Sequence, residues 1–210
     1  MRMKTKEFDM NIFKEEFAKI RKRYYESTTV PEIDSLKDEL YGKTIVVFGT
    51  GEIGHFYYRK LESMGLAVTC FVDNFVIYDP KKHRFPIIQP NKLRACYPDA
   101  AIIISCDKAC DLVYNQLLEL GYNPSQLIKY SRVDFFEPHL QGYEWAYNFF
   151  KDDISKKIIL QRIKGYLFGD SMDRSSECKQ YFEDSIIKLD QDEIFIDGGF
   201  YTGDTTEEFI

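Results

Sequence analysis

The stretch KTIVVFGTGEIGHF, residues 43–56, decides how the rest of the chain is read. Ile45 to Phe48 form a short β-branched and aromatic run without charge, which is the pattern of a strand buried on both faces. Three glycines follow as Gly49, Gly51 and Gly54, and beyond them Ile53, Tyr57, Leu61 and Met64 recur on one helical stripe. Strand, glycine loop and helix in that order form the phosphate-binding opening of a dinucleotide-type α/β unit. In such a loop Gly49 permits the tight turn, Gly51 lets a phosphate approach the backbone, and Gly54 lets helix and strand pack closely. The amides around Glu52 and Ile53, at the helix N-terminus, supply unpaired donors and a partial positive charge. The pattern has a bland reading as well, in which the glycines serve only a sharp turn.

Outward from this loop the same grammar repeats. LAVTCFVDN, residues 66–74, predicts a second strand that ends in Asp73 and Asn74, nineteen residues past Gly54, where an acid accepts hydrogen bonds from ribose hydroxyls. QPNKLRACYPDA predicts a short helix, AIIISC a third strand, KACDLVYNQLLELG a helix with Ala109, Val113, Leu117 and Leu120 facing in, and LIKY a fourth strand. Apolar strands alternating with helices belong to a parallel sheet covered on both faces. Residues 41–131 are therefore expected to form a four-stranded, Rossmann-like α/β domain with strand order 3-2-1-4. Cys106 and Asp107, just after the third strand, stand where ligands meet such a sheet, or serve merely as a small residue and a helix cap.

Before the sheet, Phe13, Phe17, Ile20 and Tyr24 mark one face of an amphipathic helix, and VPEIDSLKDELYG predicts a second that Gly42 stops. Residues 1–40 read as a helical arm. After the sheet, YEWAYNFF, DDISKKIILQRIKGYLFG with an Asp or Ser cap, and RSSECKQYFEDSIIKL predict a helical connector over residues 132–185. A new strand, EIFI, opens a further segment at residues 186–210.

Composition narrows the function classes. With 28 Lys and Arg against 34 Asp and Glu, the formal net charge of -6 argues against a general nucleic-acid binder. No apolar run is long enough to span a bilayer, and the N-terminus lacks the apolar core of a signal peptide, so a cytoplasmic chain without a membrane span is expected. Five cysteines at irregular spacing and three scattered histidines give neither a disulfide framework nor a four-ligand metal set. No Ser/Tyr/Lys or His/Asp set falls at strand ends to act as a catalytic dyad.

Two family resemblances extend these readings. IVVFGTGEIG, FVDN, FPIIQPNKL before a helix and PDAAIIIS together resemble the Rossmann-like domains at the N-termini of sugar-modifying enzymes, such as PglD-type sugar acetyltransferases. That resemblance implies a nucleotide sugar as a ligand on equal terms with NAD(P). DEIFIDGGFYTGDT, preceded by QYFEDSI, resembles the entry motif of FkbM-family, S-adenosylmethionine-dependent methyltransferases. It implies that Asp197, Gly198, Gly199 and Gly203 contact the methyl donor, and that the parent enzyme is an O-methyltransferase of glycan or polysaccharide modification. The family's later strands, its ribose-binding acid and its acceptor site have no counterpart after Ile210, so the chain is expected to be the N-terminal part of that enzyme and inactive alone. The rival expectations are an NAD(P)-dependent oxidoreductase and a non-catalytic scaffold module, the latter with a homo-oligomer built through the arm and the aromatic-rich helices.

Overall fold

Side chains alternate across a pleated strand, and that alternation builds the centre of the molecule. In β1 (Ile45–Phe48), Ile45 and Val47 turn to one face and Val46 and Phe48 to the other, and all four are buried. The computed structural model describes residues 3–169, with side chains from Ile12 onward, and isolated positions between 188 and 196. Within it β1 pairs in parallel with β2 (Val68–Val72) on one side and β4 (Ala101–Ile104) on the other. β3 (Ile87–Ile88) extends the sheet beyond β2, and β5 (Leu127–Lys129) extends it beyond β4. The sheet is parallel and five-stranded, in the order β3-β2-β1-β4-β5.

This is the expected α/β sheet with one correction. The sequence reading counted four strands and gave the third place to AIIISC, whereas that segment is β4 and lies directly against β1. The third place belongs to Ile87–Ile88, a pair flanked by Pro86 and Pro90 and too short to show a period. The expected order 3-2-1-4, with AIIISC beyond β2 and LIKY beside β1, is thereby corrected: AIIISC lies beside β1 and LIKY forms the edge strand β5.

Helices cover both faces, as a parallel sheet requires. On one side α3 (Glu52–Ser63) presses Tyr57, Tyr58 and Leu61 onto Ile45, Val47, Phe71 and Ile103, with Ile33 and Leu40 from the segment before the sheet. On the other, α4 (Pro90–Cys96) and α5 (Cys110–Glu119) bring Leu93, Val113 and Leu117 onto Val46, Phe48, Cys70, Val72 and Ile104.

A third core lies in the helices. The stripe of α1 (Met3–Ser27), namely Phe13, Phe17, Ile20 and Tyr24, packs with Val133 and Phe136 of α6 (Arg132–Phe136), Tyr147 of α7 (Leu140–Phe149) and Ile163 and Leu167 of α8 (Asp153–Phe168). Arm and connector thus share one hydrophobic cluster. Phe13 is fully buried, with its ring 5.4 Å from that of Tyr147. Asp152 caps α8, accepting from the Ser155 N–H at 2.7 Å, as the sequence predicts. α2 (Lys37–Leu40) is a single turn behind a 3-10 turn at Ile33–Leu36, so the second arm helix is shorter than its sequence suggests.

The chain divides into two compact units, Met1–Asp170 and Ser171–Ile210. The expected helix of residues 174–189, apart from the exposed, non-helical Lys188, and Asp197, Gly198, Gly199 and Gly203 lie outside the described residues. Of the expected strand, the described Ile194 and Ile196 are exposed and in no strand. No described helix is long and apolar enough to cross a membrane.

Candidate nucleotide site

The five strands point the same way, so their C-terminal ends line one edge of the sheet. From β1 the chain crosses to β2 on one side, and it later returns to β4 on the other. The crevice between the ends of β1 and β4 is therefore the switch point, the place where open α/β sheets bind ligands. Residues 49–54 and 105–107 flank it.

Each glycine of the loop has a distinct geometry. Gly49 adopts φ +107, a conformation that side chains rarely enter, and a Cβ there would stand 3.0 Å from Ser105 Oγ and 3.1 Å from Cys106 Sγ. Gly54 touches the backbone of the loop, since its Cβ would fall 2.0 Å from the Gly49 carbonyl oxygen. These two glycines are steric requirements of the fold. Gly51 differs: it has ordinary extended backbone as the N-cap of α3, and a Cβ there would meet nothing within 4 Å. Its surroundings are open, and no side chain caps the amides of the first turn of α3. Open space in front of uncapped helix donors is what an approaching phosphate needs.

Asp73 closes the loop from the neighbouring strand. Its Oδ2 accepts the Thr50 N–H at 3.1 Å and the Thr50 hydroxyl at 2.8 Å. Its Oδ1 accepts the Phe75 N–H at 2.9 Å and the Val76 N–H at 3.1 Å. Burial pushes the pKa of this carboxyl up, but these four donors outweigh it and hold the pKa below 3.8. A carboxylate offers roughly four lone-pair sites. Protein donors engage all of them, so the group that the sequence assigned to ribose hydroxyls here orients the loop. Asn74 exchanges two hydrogen bonds with Gln116 of α5, at 3.1 and 3.0 Å, and ties the end of β2 to the opposite face.

Ser105 and Cys106 form the other wall. Ser105 is buried, and its hydroxyl donates to the Phe48 carbonyl at 2.7 Å. Cys106 Sγ points at the same carbonyl from 3.6 Å. Burial raises the Cys106 thiol above its ordinary value, which keeps it protonated and a poor nucleophile. Asp107 is not a helix cap, because α5 begins at Cys110 without a side-chain cap. It accepts instead from Tyr130 and Arg132, just beyond β5.

The structure thus brings Gly49, Gly51, Glu52, Ile53, Gly54, Asp73 and Asn74 to one edge. Sequence reasoning missed Thr50, Ser105, Tyr130 and Arg132. The position of Thr50 between two loop glycines was a signal for the first, whereas the others meet only through the sheet register. Among the described residues no group of three or more His, Cys, Asp or Glu is placed to hold a metal ion. In comparisons with known proteins, no family model, no curated protein and no solved structure matches this chain.

Proposed function

We propose that residues 41–131 bind a nucleotide, and specifically a nucleotide sugar, through its phosphates at loop 49–54. The observation that carries this reading is the contrast within the loop: Gly49 and Gly54 are demanded by packing, whereas Gly51 faces open space before uncapped helix amides. A turn built only to connect strand and helix has no need of a glycine at position 51. The engagement of Asp73 by four protein donors favours a ligand held by its phosphates over one held by its ribose, and the resemblance of IVVFGTGEIG, FVDN and PDAAIIIS to PglD-type domains supports a nucleotide sugar as that ligand.

The larger role is a binding module ahead of an S-adenosylmethionine-dependent O-methyltransferase domain of the FkbM type, acting on a glycan or polysaccharide. Support for that role is the sequence DEIFIDGGFYTGDT alone. The oxidoreductase reading needs a proton donor beside a nicotinamide, and Cys106, beside the loop, is a weak one, because burial raises its thiol and Sγ already faces the Phe48 carbonyl.

Calorimetric titration of the 210-residue chain with nucleotide sugars, NAD, NADP and S-adenosylmethionine tests the proposal. Nucleotide-sugar binding that is abolished by Gly51→Asp supports it. Tight NAD or NADP binding with turnover, or binding that Gly51→Asp leaves unchanged, refutes it.

A further inference from the structure

The glycine loop is part of a longer row. Register aligns Val72, Phe48, Ile104 and Lys129 across four strands, so the next positions along the edge are Asp73, Gly49, Ser105 and Tyr130. Neighbouring strands lie about 4.8 Å apart, which puts Tyr130 about 10 Å along the edge from Gly49. That is the reach of a diphosphate carrying one further ring.

At this far end stands an ordered polar group that the phosphate loop does not use. Asp107 Oδ1 accepts from the Tyr130 hydroxyl and, at 3.1 Å, from Arg132 Nη2. Arg132 Nε donates to the Tyr130 oxygen at 3.3 Å, and Nη1 donates to the Tyr166 carbonyl of α8 at 3.2 Å. Tyr130 is buried and fixes the pair from below, while the Asp107 and Arg132 side chains stay 43% and 33% exposed. Both donors fall on Oδ1, which leaves Oδ2 to accept. The guanidinium carries five N–H groups and spends three on these partners, which leaves two to donate. The Tyr166 ring, 40% exposed, belongs to the same cluster.

A fixed acceptor beside a fixed donor selects its ligand by charge. The carboxylate repels a bare anion, the guanidinium repels a cation, and the two together suit a neutral group that both donates and accepts, as vicinal hydroxyls do. We propose that Asp107 and Arg132, positioned by Tyr130, form a second subsite that holds the sugar ring of a nucleotide sugar whose diphosphate lies on loop 49–54. This subsite rests on the phosphate-loop reading above.

The test is calorimetric titration of the full chain with uridine, guanosine and adenosine diphosphates and with their hexose conjugates. The conjugate of the recognised base is expected to bind about tenfold tighter than its diphosphate, the worth of hydrogen bonds to charged groups. Asp107→Asn and Arg132→Lys should each bring the conjugate down to the level of the diphosphate and leave diphosphate affinity unchanged. Equal affinity of diphosphate and conjugate in the unaltered chain, or variants that weaken both alike, would overturn the subsite and leave the phosphate loop standing. Absence of binding by every probe overturns both. Should Arg132→Lys not fold, the half-exposed Asp107→Asn decides the matter, with a thermal melt showing that it is intact.

Discussion

Thr50 gives both of its donors, the backbone N–H at 3.1 Å and the hydroxyl at 2.8 Å, to a single oxygen of Asp73 on the adjacent strand. The other oxygen holds the turn that follows β2. One carboxylate therefore sets the position of the glycine loop and of the chain after β2. Asp73→Ala leaves four N–H and O–H donors without this acceptor, three of them backbone amides, and is expected to cost about 1–3 kcal/mol in urea unfolding at pH 7.

The same carboxylate gives the stability a signed pH dependence. Its pKa is lower folded than unfolded, so its contribution is complete above 3.8 and is lost as pH falls through its folded value. The stability gap between the unaltered chain and Asp73→Ala should accordingly be full at pH 7 and narrow below pH 3.8. A gap that widened on acidification would contradict the assignment of the carboxylate as the charged acceptor.

The loop glycines should respond in opposite ways. Gly54→Ala places a methyl group 2.0 Å from a backbone oxygen, so helix and strand must separate, at about 1–3 kcal/mol or more. Gly51→Asp enters open space with N-cap backbone geometry, where aspartate is favoured over glycine, and should leave thermal stability unchanged or raise it by a few tenths of a kcal/mol. Its carboxylate would then occupy the amides and the field that a phosphate needs. Thermal melts of the two variants decide this, and comparable destabilisation would deny that Gly51 is free of a packing role.

A buried node joins the arm to the sheet. Asp134 of α6 accepts from the Tyr25 hydroxyl of α1 at 2.9 Å and from the Ile33 N–H at 3.1 Å. Tyr57 of α3 accepts the Ser131 N–H at 2.7 Å and stands 3.3 Å from Asp134 Oδ2. Tyr57→Phe leaves the buried Ser131 N–H unpaired, for an expected loss of about 1–3 kcal/mol. Burial raises the Asp134 carboxyl above 3.8 despite its donors, so its contribution is complete below that value and is lost as pH rises through the folded pKa. Asp134→Asn should therefore show a flatter stability profile above pH 4 than the unaltered chain, measured by urea unfolding across pH.

The arm and the connector should open together. Phe13→Ala removes a fully buried ring from their shared cluster and is expected to cost about 3–5 kcal/mol. Hydrogen exchange should show α1, α7 and α8 losing protection as one group while β1, β2 and β4 keep theirs. Loss confined to α1 would mean that the arm is only laid on the rest.

These contrasts also mark what could be read from the residues. Ile45 to Phe48 and Ala101 to Ile104 announced a sheet covered on both faces, because uncharged β-branched runs have few other uses. The stripe Phe13, Phe17, Ile20 and Tyr24 announced a packed helix, but periodicity says that a face is buried and not against what. Its partners, Phe136, Tyr147, Ile163 and Leu167, lie more than a hundred positions away. Ile87–Ile88 escaped because two residues between prolines carry no period. Asp73 was located correctly by spacing, while the count of its donors depended on how Thr50, Phe75 and Val76 fold back on it. Asp107, Tyr130, Arg132 and Tyr166 come from three separate stretches of chain: the register of β4 and β5 brings the first three together, and the packing of α8 adds Tyr166, whose carbonyl Arg132 meets.

The most direct test is to follow the backbone amides of loop 49–54 by 15N-resolved NMR during titration with a nucleotide sugar. The resonances of Gly51, Glu52, Ile53 and Gly54 are predicted to move saturably and together, and to stay still in Gly51→Asp. A ligand that binds while those four amides remain unmoved would contradict the assignment of this loop as the phosphate site.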